Sequence, residues 1–365
     1  MSDCVAEIPR LDSFPRAVLG HTPTPIDSAP ALGRELGITL HVKRDDCTGL
    51  AFGGNKVRQL EFYMGEAQQR DADVVLITGA VQSNFVRTTA AAARYLGMDV
   101  HIQLEERVSG MDEVYRNSGN VLLDRLLGAH LHLFSVGEDE SAADRNLEAI
   151  AGELAAAGRR PYVIHLGVEH PPIGGLGYVR AAAEIVAQQR ELDLQLDAIV
   201  VASGSGLTHA GLLVGLRALG QSVPLYGVCV RRKVALQKPR VLRRAREISA
   251  LIDQPDVVAD SDVRVTDNSF APGYGKLNPR TFQAIADAGR LEGLLLDPVY
   301  TGKTMAGLAV LAEAGEFDGE GRVLFVHTGG QPALFGYQRA LEQFFDESPG
   351  ETVSGAGRRQ AAEAG

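Results

Sequence analysis

The sequence predicts an α/β protein with two lobes, in which parallel sheets are flanked by helices. Three observations favour this fold class. Short apolar runs alternate with longer segments of helical period, which is typical of a parallel sheet wrapped by helices. Several of the runs are continuously apolar, as in strands buried on both faces. The chain has 365 residues, and because single cores stop growing at roughly 250 to 300 residues, we expect two lobes.

The predicted strands share short length and a high content of apolar and β-branched residues: 73–79, 99–106, 130–134, 161–167, 197–204, 225–230, 294–299 and 322–330. The segments between them carry apolar residues at helical spacing and often close with glycine, so we predict helices there. Glycine-rich stretches at 49–55 and 170–177 indicate where the chain enters and leaves a smaller lobe. The resulting division has three parts: a discontinuous large domain of residues 1–52 and 170–347, a small domain of residues 53–169, and a disordered tail at 348–365.

Composition and charge exclude several classes of function. The chain is 45% hydrophobic and has no apolar run long enough to cross a bilayer. Its net charge of -10 and the lack of a basic stripe with interleaved aromatics argue against a nucleic-acid partner. The N-terminus has acids where a secretory signal has bases, so we expect a cytoplasmic protein. Cys4, Cys47 and Cys229 are too far apart for a metal knuckle, and the histidines have no ligand spacing, so no metal is predicted.

A glycine-rich turn is the first candidate for a binding site. Residues 202–216, ASGSGLTHAGLLVGL, follow a predicted strand and lead into a helix, where free backbone N–H groups bind anions. The stretch fits neither common nucleotide fingerprint, and a tight turn without a ligand remains an equal interpretation. The sequence TGKT at 301–304 is similar to the end of a P-loop, but Asp297 stands where the loop needs glycine. We therefore exclude an NTPase.

Two further stretches place polar groups at predicted helix starts. Lys56 lies in GGNK, where the helix dipole disfavours a positive charge, and a surface lysine is the alternative interpretation. Ser83 and Asn84 follow the strand at 73–79. They act either as a helix cap or as part of a carboxylate clamp.

Three hydroxyl side chains also stand where the predicted core does not need them. Tyr274 and Tyr300 lie in glycine-flanked turns, where a phenol has no obvious core to fill. Thr328 follows the strand at 322–330, at the carboxyl end where ligands bind in open α/β sheets. Each of these signals is weak when it is taken alone.

Taken in order, the motifs GGNK, QSN, SGSGLTHAG, PVYTGK and HTGG resemble those of pyridoxal-phosphate enzymes with the tryptophan-synthase-β fold, also called fold type II. Within that group the chain is most similar to the family of D-cysteine desulfhydrases and 1-aminocyclopropane-1-carboxylate deaminases. The resemblance runs from about residue 22 to residue 337. It implies pyridoxal 5'-phosphate as cofactor, a small amino-acid substrate and a homodimer.

The resemblance also implies roles for residues that bind the cofactor. Lys56 corresponds to the lysine that carries the cofactor covalently, and local positive potential is expected to lower its pKa. Asn84 would hydrogen-bond the phenolic oxygen of the cofactor, and Thr328 would also contact the cofactor. The phosphate would lie on four consecutive residues: Ser205, Gly206, Leu207 and Thr208.

The expected substrate contacts come from the same comparison. Ser83 would hold the substrate carboxylate, with Asn84 and Phe85 beside it. Tyr274 and Tyr300 would act as acid/base or positioning groups. With Lys56 and Ser83, the two tyrosines form the predicted catalytic set.

Two positions bear on the reaction. Thr301 replaces the glutamate of the deaminases, and a neutral partner for the pyridine nitrogen favours β-elimination, in which the leaving group takes the electrons. Phe85 replaces the histidine usual in D-cysteine desulfhydrases, which leaves the substrate open. The sequence therefore predicts a carbon–sulfur lyase that acts on D-cysteine or, alternatively, on L-cysteate. A 1-aminocyclopropane-1-carboxylate deaminase and a non-catalytic cofactor-binding protein are further alternatives.

Overall fold

The computed structural model describes residues 8, 10–137, 139–317 and 320–347. Within these ranges the strands are β1 Ile26–Ser28, β2 Thr39–Lys43, β3 Val74–Ala80, β4 Asp99–Glu105, β5 His130–Phe134, β6 Pro161–Ile164, β7 Ala198–Ser203, β8 Leu225–Cys229, β9 Arg264–Thr266 and β10 Arg322–Val326. The predicted disordered tail at 348–365 and Cys4 lie outside the described residues.

Helices surround these strands. In chain order they are α1 Pro30–Leu36, α2 Asn55–Gln69, α3 Asn84–Tyr95, α4 Glu113–Asn117, α5 Gly119–Leu126, α6 Glu140–Ala156, α7 Leu176–Glu191, α8 Leu207–Ala218, α9 Val234–Leu251, α10 Pro279–Glu292, α11 Thr301–Glu313, α12 Ala333–Gly336 and α13 Gln338–Glu347. No helix in the described part of the chain is both long and apolar enough to cross a membrane.

The strands form two separate sheets. The larger has the order β1-β2-β10-β7-β8-β9, and the smaller has the order β5-β4-β3-β6. All described neighbours pair in parallel except β1 with β2, which are antiparallel. The small sheet is built from chain that lies between β2 and β7 of the large sheet. The predicted α/β class with two parallel sheets is therefore confirmed, whereas the domain boundaries stay a prediction.

The burial of the strands explains why continuous apolar runs in the sequence predicted them. Every residue of β3 and of β7 is buried, because helices cover both faces of each sheet. Two core clusters, a large one and one of four buried residues, lie on the small sheet, and two more lie on the faces of the large sheet. The two sheets are thus separate hydrophobic units, as the length of the chain predicted.

One predicted strand was wrong. Residues 294–299 form no strand, although they are mostly apolar. Asp297 is fully buried, and its carboxylate accepts hydrogen bonds from the amides of Val299, Tyr300 and Thr301. This local bonding bends the chain into a turn that leads directly into α11. The prediction also missed β1, β2 and β9, two of which have only three residues.

Candidate active site

A cavity opens between the two sheets and holds most of the residues singled out from the sequence. It measures about 800 Å³ when counted to its open mouth. Of the predicted site residues, only Leu207 and Thr301 do not border it. Residues far apart in the chain meet here because β3, β7 and β10 all end at this edge of their sheets.

Lys56 reaches the cavity because the backbone before α2 is folded tightly against the end of β10. Gly53 and Gly54 have φ values of 62° and 108°, which favour glycine. A Cβ atom on Gly54 would lie 3.0 Å from the carbonyl oxygen of Thr328. The amide of the next residue, Asn55, donates to that same oxygen at 3.0 Å. Lys56 is therefore held in the first turn of α2, facing the cavity.

The amine of Lys56 lies in a poorly solvated environment. Its Nζ atom is 3.5 Å from Oε1 of Gln59 and 4.8 Å from the centre of the Phe85 ring. Burial lowers the pKa of Lys56 to about 8. The sequence predicted this direction but attributed it to nearby positive charge, whereas desolvation is the cause. Near pH 8 a large fraction of this amine is neutral, and a neutral amine is a competent nucleophile and base.

The glycine-rich turn connects β7 to α8 and faces the same cavity. Gly206 has φ 97° and stands at the helix N-cap, where no described side chain caps the helix. The first backbone N–H groups of α8 therefore lack a side-chain acceptor. The hydroxyl of Thr208 accepts hydrogen bonds from Asn55 and Gln59, both at 2.8 Å, which ties α8 to α2. The side chain of Leu207 is buried and does not border the cavity, so only its backbone could contact a ligand.

Ser83 and Asn84 begin α3 at the end of β3. The hydroxyl of Ser83 accepts from the amide of Val86 at 3.4 Å, so it caps the helix and also borders the cavity. The helix cap is therefore observed, and the carboxylate clamp stays a prediction. Asn84 accepts from the side-chain amide of Asn120 at 3.0 Å, which fixes its carbonyl oxygen and leaves its own NH₂ group as a donor.

Tyr274 and Tyr300 form a pair at the cavity wall. Their hydroxyl oxygens are 3.0 Å apart and share one hydrogen bond, with the rings at 71° to each other. Burial, together with the neighbouring phenol of Tyr274, raises the pKa of Tyr300 well above its ordinary value. The Tyr300 phenol is therefore protonated at neutral pH.

The structure does not bring Thr301 to the cavity. Its hydroxyl donates to the Asp297 carboxylate at 2.8 Å and accepts from the Asp297 amide at 2.7 Å. The side chain is fully buried in this turn at the start of α11. Thr328, in contrast, borders the cavity.

Sequence reasoning missed two arginines of the cavity wall. Arg107 follows β4 and forms a two-bonded ion pair with Glu105, at 2.7 and 2.8 Å. Arg231 follows β8 and lies 2.8 Å from Glu140 at the start of α6. Among the described residues that border the cavity there is no aspartate or glutamate. No motif identifies these arginines, because each enters the wall from a different strand end.

The chain matches the family model described as pyridoxal-phosphate dependent enzyme over residues 18–329. It belongs to this family. D-cysteine desulfhydrases of Salmonella typhi and Salmonella newport are 44% identical to it over 327 residues, which cover 90% of this chain and 97% of each relative. A solved homologue of 1-aminocyclopropane-1-carboxylate deaminase is 37% identical, has a TM-score of 0.83 and matches 94% of this chain and 100% of its own.

A more distant solved structure shares the fold alone. The L-serine ammonia-lyase of Rhizomucor miehei is 17% identical, with a TM-score of 0.61 over 90% of this chain and 98% of its own. The predicted family, fold type and cofactor are thereby confirmed.

The residues of the cavity fit pyridoxal phosphate. The uncapped start of α8 offers backbone N–H groups to a phosphate. On another wall, the Lys56 amine has the lowered pKa that attachment to an aldehyde requires. The role of each predicted site residue stays a prediction.

Proposed function

We propose that the protein is a pyridoxal-phosphate-dependent lyase that eliminates the β-substituent of an amino acid, with D-cysteine as the first substrate to test. The observation that carries the proposal is the arrangement of one cavity. It places a desolvated amine, a pair of hydrogen-bonded phenols and an uncapped helix start around a single space. D-cysteine desulfhydrases are the named relatives that cover nearly the whole chain.

Binding comes first in the proposed mechanism. The α8 start, with Ser205, Gly206, Leu207 and Thr208, would hold the cofactor phosphate, and the NH₂ group of Asn84 would donate to the phenolic oxygen. Thr328 would contact the ring from the β10 side. Ser83 and the α3 amides would hold the substrate carboxylate. When bound, pyridoxal phosphate supplies an electron sink that acidifies the α-carbon of the amino acid.

The reaction then needs one base and one acid. Lys56 Nζ would accept the α-proton, because its lowered pKa leaves a large neutral fraction near pH 8. The C–S bond breaks with its electron pair on sulfur, and the Tyr274–Tyr300 pair would donate the proton that completes hydrogen sulfide. The released aminoacrylate is hydrolysed by water to pyruvate and ammonia. Thr301 would act indirectly, by fixing the turn beside Tyr300.

A second substrate is favoured by the two arginines. A sulfonate such as that of L-cysteate carries a full negative charge, which Arg107 and Arg231 would attract, although each is already paired with a glutamate. Phe85, at 4% exposure, borders the same cavity and places an apolar ring where an imidazole is usual in D-cysteine desulfhydrases. Elimination from L-cysteate would release sulfite instead of sulfide.

A substrate panel tests the proposal. Purified holoenzyme is incubated with D-cysteine, L-cysteine, D-cysteate, L-cysteate and 1-aminocyclopropane-1-carboxylate, and pyruvate, sulfide, sulfite and 2-oxobutyrate are measured. Pyruvate with sulfide or sulfite supports elimination, and the inorganic product identifies the substrate. Appearance of 2-oxobutyrate alone would instead support a deaminase. Pyruvate from no substrate would exclude the proposed reaction.

Borohydride reduction followed by peptide mapping tests the attachment site. We expect the reduced cofactor on Lys56. Lys303 is the rival buried amine, but it donates to the carbonyl oxygens of Phe270 and Gly273, at 2.8 and 2.6 Å, and does not border the cavity. A label on Lys303, or on no lysine, would contradict the assignment. A labelled Lys56 without turnover would indicate a non-catalytic cofactor-binding protein.

We also propose a homodimer in a cytoplasmic setting. The homodimer and the cytoplasmic setting are both supported by the family resemblance.

A further inference from the structure

A cluster of histidine and carboxylate side chains lies outside the active-site cavity, where the sequence predicted no metal. Asp144 and Glu148 come from α6, and His165 and His170 come from the loop that follows β6. One nitrogen of each histidine and one oxygen of Asp144 lie within 4.8 Å of one another. In the described part of the chain, this is the one group of at least three such residues that is close enough to hold an ion.

The distances within the cluster are those of ligands around an absent centre. Nδ1 of His165 is 3.6 Å from one oxygen of Asp144, and Nε2 of His170 is 3.7 Å from the other. Both separations exceed ordinary hydrogen bonds. A tetrahedral zinc ion with bonds of about 2.0–2.1 Å keeps its ligand atoms roughly 3.3 Å apart. All three atoms could reach one ion once the two histidine rings turn out of their parallel stack, because an imidazole binds a metal in the plane of its own ring.

Glu148 sets the tautomer that metal binding requires. Nε2 of His165 is 2.8 Å from Oε1 of Glu148, so the ring proton is directed to this carboxylate. The other nitrogen, Nδ1, is buried and has no hydrogen-bond partner among the described residues. A histidine that donates one N–H to a carboxylate and turns its free nitrogen to a metal is a recurring arrangement in metal sites.

Two ordinary ion pairs, one from Asp144 to each histidine, explain the arrangement of the cluster less well than a bound ion does. The rings of His165 and His170 are stacked, with centres 3.6 Å apart and planes 5° from parallel. If both rings were cationic at this separation, their like charges would repel strongly. Two neutral rings that turn out of the stack to bind one cation avoid that repulsion. The exposed carboxylate of Glu148 can pair with Nε2 of His165 whether or not an ion is bound.

We propose that His165, His170 and Asp144 bind a divalent ion of the zinc type, with Glu148 as the carboxylate partner of His165. Two imidazoles and a carboxylate suit Zn²⁺ and leave a fourth position for water. The ion would tie α6 to the loop at 165–170. Leu166 of this loop borders the active-site cavity, and Glu140 of the same helix pairs with Arg231. The proposed metal site therefore supports a wall of the cavity from outside.

The test measures metal binding directly, on holoenzyme first freed of metal by a chelator. We expect one equivalent of Zn²⁺ per chain by titration calorimetry, and Co²⁺ to give the visible absorption of a tetrahedral site. Both His170→Asn and Asp144→Asn should weaken Zn²⁺ binding at least about 100-fold. Glu148→Gln should weaken it about 10- to 100-fold. The cofactor absorbance should remain in all three variants, which shows that they are folded.

A second histidine cluster provides the matched control. His101 and His132 lie on β4 and β5 with ring nitrogens 3.0 Å apart, and His130 stacks on His101. His132→Asn should leave Zn²⁺ binding unchanged. Binding that is lost in His132→Asn but retained in His170→Asn would overturn the proposal. A wild-type protein that binds neither Zn²⁺ nor Co²⁺ at 1:1 stoichiometry would overturn it as well. Neither result depends on the substrate assignment.

Discussion

The chemistry of a single residue, Lys56, accounts for the pH dependence that we expect of this protein. With a pKa of about 8, roughly a tenth of the amine is neutral at pH 7, whereas an ordinary lysine with pKa 10.5 has about three in ten thousand neutral. The rate of covalent cofactor attachment to apoprotein should therefore rise with pH and level off above about 8. Absorbance-monitored reconstitution at several pH values measures this, with Lys56→Ala as the control. A midpoint near 10 would contradict the burial argument.

The same residue affects the stability of the cofactor-free protein. The pKa of Lys56 is lower in the folded state than in the unfolded chain, so protonation favours unfolding. The contribution of the neutral amine is complete above about pH 10.5 and is lost as pH falls toward about 8. We expect the apoprotein of Lys56→Met to lack this part of the pH dependence in urea unfolding. An identical profile in wild type and variant would contradict it.

At the scale of elements, α8 is positioned by glycines that allow close approach. A Cβ on Gly211 would lie 2.2 Å from the carbonyl oxygen of Gly175. Gly211→Ala should therefore displace α8, cost about 1–3 kcal/mol of stability and weaken cofactor binding. Gly289→Ala is the matched control, because its added methyl group meets nothing within 4 Å in α10. That control should stabilise by about 0.5–1 kcal/mol. Equal thermal shifts in the two variants would contradict the packing argument.

Charged side chains connect α2 and α7 to the end of β2. Glu184 accepts from Lys43 at 2.5 Å and from Arg58 at 2.8 Å, and Arg58 also pairs with Asp45. Removing one member leaves buried charge without a partner, so Glu184→Gln should destabilise by about 3 kcal/mol. Glu191→Gln, exposed at the end of the same helix, should have little effect. Urea unfolding of both variants measures the difference.

The same network predicts acid sensitivity. The arginine and lysine partners lower the pKa of Asp45 and Glu184 below their ordinary values of 3.8 and 4.5. Their contribution to stability is therefore complete above about pH 4.5 and is lost as pH falls through the lowered pKa values. Wild type should lose stability steeply below about pH 4, and Glu184→Gln should lose less. A steeper loss in the variant would contradict this assignment.

At the scale of the whole molecule, the active site depends on both sheets. Lys56 and Ser83 come from chain around the small sheet, and the α8 start and Tyr300 come from the large one. We expect cofactor binding to stabilise the two units together, by about 2.7 kcal/mol at a cofactor concentration 100 times Kd. Calorimetry of apo- and holoprotein measures this shift. Unfolding of the small-sheet unit at an unchanged temperature would contradict a shared site.

The proposed homodimer is also a property of the whole molecule. Light scattering coupled to size-exclusion chromatography should give twice the chain mass of 38.9 kDa. The measurement is made with and without cofactor, because a site that includes both sheets can link cofactor binding to assembly. A mass of one chain in both states would contradict the proposal.

The sequence by itself determined the fold class, the family and the cofactor. Apolar runs, glycine-rich turns and the order of short motifs are visible in the sequence. They can be recognised without knowing which distant residues meet in the fold. The exception, residues 294–299, shows the limit, because the buried carboxylate of Asp297 overrode an apolar run. In this segment a strand and a turn were both possible, and the side-chain hydrogen bonds of Asp297 favoured the turn.

Only the tertiary structure decided which groups converge and how well they are solvated. It desolvates the Lys56 amine, withdraws Thr301 from the cavity into a bond with Asp297, and brings Arg107 to the wall. It also stacks His165 on His170 beside the carboxylate of Asp144, which comes from α6. Distances, burial and electrostatics depend on residues that are far apart in the chain, so no spacing along the sequence could have specified them.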